Sequence, residues 1–169
     1  QWDGYRTKKP EQVVSEIEDL TATYKTLSIA FTDNLLPLKI SRDVFRQIIK
    51  LKKDVHLFGE IRAATPIQDL SLMRAAGMQE VQIGIEELST RLLKKLNKGT
   101  TAIQNIEIMK HCEMLGIQNS SNLIFHFPGS DEKDVAETLQ NLEFTFSFRP
   151  LRMVHFWLGL GSPVWQDPK

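Results

Sequence analysis

The chain has 169 residues, 41% hydrophobic and 25% charged, which is enough for a substantial core in one ordinary domain. Lys plus Arg number 21 and Asp plus Glu number 21, so the formal charge is zero and nothing asks for a nucleic-acid partner gripped through its phosphates. No apolar run approaches the ~20 residues of a membrane span, the single cysteine excludes an internal disulfide framework, and the composition suits the cytoplasm.

Pro10 opens a helix, as proline can at the first helical position, and Val13, Ile17, Leu20 and Tyr24 recur at helical spacing. Thr26 to Thr32 reads as a strand ending at Asp33 and Asn34. Ser41 caps a second helix, with Asp43 in its first turn and Val44, Phe45, Ile48 and Ile49 on its buried face. Val55 to Arg62 is the next strand. Thr65 and Pro66 start a helix that Gly77 stops. Glu80 to Glu86 is a third strand. Ser89 caps a short helix through Leu92, Leu93 and Leu96, ended near Gly99. Thr101 begins a longer helix with Ile103, Ile106 and Met109 inward, closed at Gly116. Ile117 to Phe127 forms a fourth strand. Ser130 or Asp131 caps a helix carrying Val135, Leu139, Leu142 and Phe146, and Met153 to Leu160 is the final strand.

Strands alternating with helices imply a parallel sheet with right-handed crossovers. No Gly-x-Gly-x-x-Gly turn follows the first strand and no phosphate loop occurs. This favours a partial TIM-type (β/α) barrel over an open nucleotide-binding sheet. Residues 1–169 read as a single domain, without linker or low-complexity tract.

In a barrel, sites lie at the C-terminal ends of the strands, and polar residues gather there. Asp33 and Asn34 follow the first strand. Glu60 and Arg62 share one face of the second, because strand side chains alternate. Gln82, Gly84 and Glu86 share a face of the third; Asn122 and His126 share one of the fourth, with Ile124 between them. Buried carboxylates are costly unless paired. Two arrangements satisfy them: an internal ion-pair network such as Glu60 with Arg62, or a shared ligand offering an ammonium, a carboxylate and ribose hydroxyls. His56, His111, His126 and His155 show no zinc-like spacing. His155 and Trp157 read as core, as do the methionines at helical spacing, and Cys112 as a small buried hydrophobe.

Seven words occur in a fixed order: residues 5–11, Phe31-Thr32-Asp33-Asn34, Gly59-Glu60-Ile61-Arg62, Ala75-Ala76-Gly77, Gly84-Ile85-Glu86-Glu87-Leu88-Ser89, Leu96-Asn97-Lys98-Gly99-Thr100, and Asn122 through Gly129. Together they resemble the radical S-adenosylmethionine superfamily over nearly the whole chain. The likeness is greatest to its cobalamin-associated branch of peptide-maturation and anaerobic porphyrin cyclase-like enzymes. The resemblance implies S-adenosylmethionine and a [4Fe-4S] cluster as cofactors, with cobalamin as a possible third. It implies radical chemistry on a peptide or tetrapyrrole. The family's first strand and its Cys-x-x-x-Cys-x-x-Cys loop have no counterpart in this sequence, and truncation is the expected reason. A missing strand would leave an open sheet edge, an invitation to dimerise.

The resemblance also implies roles. Asp33 and Asn34 stand at the place of the Gly-Gly-Glu motif that meets the cofactor's amino group. Glu60 and Glu86 match polar positions facing the cofactor. Lys98 stands where a basic residue approaches its carboxylate, Asn122 near its ribose, and Ile124 to Pro128 against its adenine. Two departures accompany the match: His126 where glycine is usual, and Ser130 where glutamate is common. A degenerate barrel that binds a nucleoside or a partner without catalysis is the alternative. A third reading is an ordinary barrel enzyme using Glu60 or Glu86 as general acid or base.

Overall fold

The computed structural model describes residues 7–33, 36, 38–161 and 163–166. The elements run α1 (Pro10–Tyr24), β1 (Ser28–Ala30), α2 (Leu38–Leu51), β2 (His56–Ile61), α3 (Ile67–Ala75), β3 (Met78–Ile83), α4 (Thr90–Lys95), α5 (Ala102–Leu115), β4 (Gln118–Asn119), β5 (Asn122–Phe125), α6 (Glu132–Glu143), β6 (Arg152–His155) and α7 (Pro163–Gln166). Strands β1 to β4 form one parallel sheet in sequence order, and β5 pairs β6 in parallel. A single parallel bridge, Glu86 to Leu123, carries the curve from β3 to β5. This is the partial barrel that alternating strands and helices imply.

The core lies between the sheet and the helices. Leu57 and Ile61 of β2, with Met78, Val81 and Ile83 of β3, face Val14 and Ile17 of α1, Phe45 and Ile48 of α2, Leu70 and Met73 of α3, and Ile108, Met109 and Cys112 of α5. The alternating residues Phe58, Glu60, Glu80 and Gln82 are only half-buried and point to the other side. That opposite side is where a barrel holds its ligand.

The expected strand from Ile117 to Phe127 is two strands. Between them Ser121 turns its hydroxyl to Asn119 Oδ1 and also accepts from the Ile83 amide at 2.9 Å. A side chain thus takes the place of a ladder partner, and the break follows. The first strand is shorter than expected and the last ends at His155 rather than Leu160. Helix α2 begins at Leu38, so Ser41 is a buried residue within the helix and not its cap.

Two helices are rotated from the faces that apolar spacing suggests. In α5 Ile103 is 70% exposed, while Ala102, Asn105, Ile108, Met109 and Cys112 are buried. In α6 the buried residues are Asp134 and Thr138, whereas Val135 and Leu139 face outward. Phe146 lies beyond the end of α6 and is 92% exposed. Each helix turns a polar residue inward because the loop beneath it needs hydrogen bonds more than it needs apolar cover. Trp157 and His155 are exposed rather than core, as are Met114 and Met153.

Asp69, buried at the start of α3, takes a two-pronged pair from Arg42 of α2 at 2.6 and 2.8 Å. The guanidinium holds the Asp69 carboxyl below the ordinary aspartate value. Gly77 marks the tightest backbone approach. Its φ is 104°, and a Cβ there would sit 2.2 Å from the Val55 carbonyl oxygen. Gly77→Ala is therefore expected to lower stability by about 3 kcal/mol or to prevent folding. Urea denaturation measures it; a loss under about 1 kcal/mol would contradict this contact.

Candidate functional site

The site is built on a turn. After Ile83 the chain leaves β3, and two short backbone bonds follow, Ile85 N to Ile83 O and Glu87 N to Ile85 O, both 2.7 Å. The second is centred on Glu86, whose φ is 59°. A γ-turn with positive φ at its centre is a rare and strained form, and glutamate has none of glycine's freedom there. Such strain persists only when the surroundings over-determine the conformation.

Those surroundings are identifiable. Asn105 of α5 is wholly buried, and its Nδ2 donates to Ile85 O at 3.0 Å and to Glu87 O at 2.9 Å. One amide group therefore holds both carbonyls flanking Glu86 from behind. From the side, α6 holds the segment that follows. Thr138 Oγ1 donates to Glu87 Oε1 at 2.6 Å, and Asn141 Nδ2 donates to Leu88 O at 2.7 Å. Glu137 accepts from Ser89 Oγ and from the Thr90 amide, each at 2.8 Å. Helix α6 is fixed in turn by Lys95, which donates to its buried Asp134 at 2.5 Å. Asp131 caps α6 with a capping box.

Lys98 reaches the site through the end of α4. Its amide bonds Leu93 O, the Asn97 amide bonds Lys94 O, and Asn97 takes φ 52°. This is a Schellman turn, and it throws Lys98 back across the strand ends. Lys98 Nζ lies 3.1 Å from Glu86 Oε1, both side chains being mostly buried. Gly84 leaves the space they use: a Cβ there would stand 3.4 Å from Lys98 Nζ and 3.8 Å from Glu86 Oε1.

The resulting cavity has a volume of about 670 Å³, and its wall includes Glu60, Arg62, Gln82, Gly84, Glu86 and Lys98. Glu60 and Arg62 form no ion pair with each other, nor with any other described residue. The internal-network alternative thus finds no support for this pair, and both groups remain open to a ligand. Thr100 lines the same cavity, and its Oγ1 is buried with no hydrogen-bond partner among the described residues.

The expected residues do not all converge. Glu60, Glu86 and Lys98 do. Asp33 lines a different cavity, of about 430 Å³, between α1, β1 and α2. Asn34 lies outside the described residues. Asn122 and Ile124 are half-buried on β5 but line neither cavity, and Pro128 is exposed. His126 does not share a face with Asn122. Its φ of 61° breaks the alternation, and its ring centroid is 4.6 Å from that of Phe125, its neighbour in sequence. Consecutive residues of a regular strand point to opposite sides and could not come so close.

Cys112 is buried, and burial pushes its thiol up to about 12. A thiol so disfavoured as thiolate is no cluster ligand. Among the described residues no group of three or more His, Cys, Asp or Glu could hold a metal ion. No described helix is long and apolar enough to cross a membrane.

Residues 1–142 match the family model of the radical SAM superfamily. An uncharacterised methyltransferase of Pyrococcus horikoshii is 27% identical over 142 residues, covering 82% of this chain and 30% of that protein. The anaerobic magnesium-protoporphyrin IX monomethyl ester cyclase of Rubrivivax gelatinosus is 29% identical over 146 residues, covering 82% of this chain and 25% of that one. Among solved structures, the cobalamin-dependent S-adenosylmethionine radical enzyme OxsB with aqua-cobalamin bound superposes with a TM-score of 0.76 at 21% identity, over 96% of this chain and 25% of that one. The chain thus spans under a third of the length of these proteins.

Two expectations follow from the clamp. Asn105→Ala leaves the buried Glu87 carbonyl without its donor and the Ile85 carbonyl with only the Glu87 amide, and should cost about 1–3 kcal/mol in urea denaturation; a change within 0.5 kcal/mol, on the order of an inert surface substitution, would contradict the clamp. Burial raises the Glu87 carboxyl above its ordinary 4.5, against the hydrogen bonds from Thr138 and Leu88. Its contribution is fully present below pH 4.5 and lost as pH rises through the raised value, so Glu87→Gln should stabilise the fold at pH 7 and lose that advantage below pH 4.5. Asp131, held at about 2 by the Asp134 amide and Lys95, acts oppositely: its contribution is lost as pH falls from 3.8 toward 2. Thermal melts of the wild type and the Gln variant across pH 2–8 separate the two.

Proposed function

The chain belongs to the radical SAM superfamily, and on that premise we propose that the Glu86–Lys98 cavity binds the amino-acid end of S-adenosylmethionine in a longer enzyme. The observation that carries this reading is the ion pair itself. One carboxylate and one ammonium stand side by side, both half-buried, across a glycine that leaves them room. A zwitterionic amino acid presents the complementary pair: its ammonium suits Glu86 and Glu60, its carboxylate suits Lys98. The ribose hydroxyls suit acceptors such as the Gln82 side chain, and Thr100 Oγ1 is a further polar group without a hydrogen-bond partner among the described residues. Asn122 and Ile124, farther along the barrel curve, continue the surface toward the nucleoside.

In this family S-adenosylmethionine and a [4Fe-4S] cluster supply radical chemistry when bound. This chain's residues orient the cofactor's amino-acid end and exclude water from it; the cluster's ligands are not among them, since Cys112 is inert and buried. The likeness to the magnesium-protoporphyrin cyclase supports a tetrapyrrole substrate of the whole protein, and the fold shared with the cobalamin-dependent OxsB suits cobalamin as a further cofactor. The β1 strand pairs only with β2 among the described residues, so its other edge is available for pairing with a second copy.

Titration of the isotope-labelled chain with S-adenosylmethionine, followed by amide NMR, tests the reading. Shifts should concentrate at Gly84, Glu86 and Gly99, and Lys98→Ala should weaken binding roughly tenfold or more, about 1.4 kcal/mol. Asp33→Asn, in the other cavity, should leave the affinity within about twofold, on the order of 0.4 kcal/mol. Shifts clustered around Asp33, or an unchanged affinity in Lys98→Ala, would refute it.

A further inference from the structure

The cavity at Glu86 leaves one feature of the strand ends unused. His126 and His155 stand at the C-terminal ends of the paired strands β5 and β6, both exposed, with Nδ1 facing Nδ1 at 3.3 Å. Phe125, the register partner of His155, packs against both rings, with centroids 4.0 Å from His155 and 4.6 Å from His126.

Two facts make this more than a chance contact. The first is strain. Among the described residues five that are not glycine take positive φ, and Lys25, Lys52 and Asn97 do so just after helices, where left-handed caps are common. Of the five, Glu86 and His126 do so at strand ends, and Glu86 lines the cavity. A histidine held left-handed is strained, and that conformation turns its ring out of the strand's alternation toward His155. The second is distance. Imidazole nitrogens lie about 2.0–2.1 Å from a bound zinc-class cation, and at a tetrahedral angle two such nitrogens stand about 3.3–3.4 Å apart. The observed 3.3 Å is a hydrogen bond between two neutral imidazoles, and it is also the spacing that one cation replacing the shared proton would impose.

We propose that His126 and His155 form a two-imidazole site for a divalent transition cation of the zinc class at the mouth of β5 and β6. Imidazole suits such ions and Nδ1 is a competent ligand atom. No third His, Cys, Asp or Glu joins them among the described residues, so the remaining coordination positions face solvent and are open to water or an anionic group. The site is independent of the cavity at Glu86 and stands whether or not that cavity takes S-adenosylmethionine.

The test is a titration of the metal-free chain with Zn²⁺ against a chromophoric competitor at pH 7.5, with Co²⁺ absorption as a second readout. One ion per chain should bind. His155→Ala and His126→Gly should each weaken binding at least tenfold, while His56→Ala and His111→Ala should leave it unchanged. The glycine variant guards against a folding artefact: glycine adopts positive φ freely, so its urea midpoint should equal or exceed that of the parent while its affinity falls. Absence of stoichiometric binding, or affinity untouched by both substitutions, overturns the proposal.

Discussion

One buried amide governs the shape of the site. Asn105 donates both hydrogens of its side-chain amide to the carbonyls on either side of Glu86, and so holds a backbone turn that glutamate would not otherwise adopt. The turn takes the Glu86 carboxylate over Gly84 to within hydrogen-bonding distance of Lys98. It also stands where the single bridge to Leu123 carries the sheet from β3 to β5. The same few residues therefore position the charged pair and join the two parts of the partial barrel.

The cost of burying so many polar groups around this turn is offset by the hydrogen bonds that α6 supplies. Glu87, Leu88, Ser89 and Thr90 each have a partner on α6. That explains why the helix carries its apolar residues outward. Val135 and Leu139 are exposed because Asp134, Glu137, Thr138 and Asn141 are needed within. The ion pairs of α4 with α6 through Lys95 and Arg91 close the arrangement, so the segment from Gly84 to Gly99 is held along most of its length. A ligand meeting Glu86 and Lys98 meets groups already in place, which spares the binding free energy an ordering cost.

The sequence displays the alternation of strands and helices, the helix starts at Ser89 and Thr101, a cap at Ser130 or Asp131 that the structure assigns to Asp131, and the turns at Gly77 and Gly116, because these depend on local chemistry. It displays Glu60, Glu86 and Lys98 because polar residues at strand ends interrupt apolar patterns, and because the ordered words around them resemble a known family. It does not display Asn105. On a helix whose neighbours Ile103 and Ile106 suggest another face, an asparagine reads as a surface residue; only the carbonyls of a distant loop reveal it as buried. The one available signal is its spacing of three and four from Ala102, Ile108 and Met109, a stripe that competes with the apolar one. Similarly, the alternation rule places His126 beside Asn122, and a single left-handed φ defeats it.

In the function proposed for this chain, the held turn at Glu86 presents a charged pair to the amino-acid end of S-adenosylmethionine. A crystal structure of this chain with the cofactor added tests it most directly. Density for the amino and carboxylate groups should lie between Glu86, Glu60 and Lys98, with the Asn105 bonds to Ile85 and Glu87 intact. Density elsewhere, or a cofactor bound with Glu86 turned away from the cavity, would contradict it.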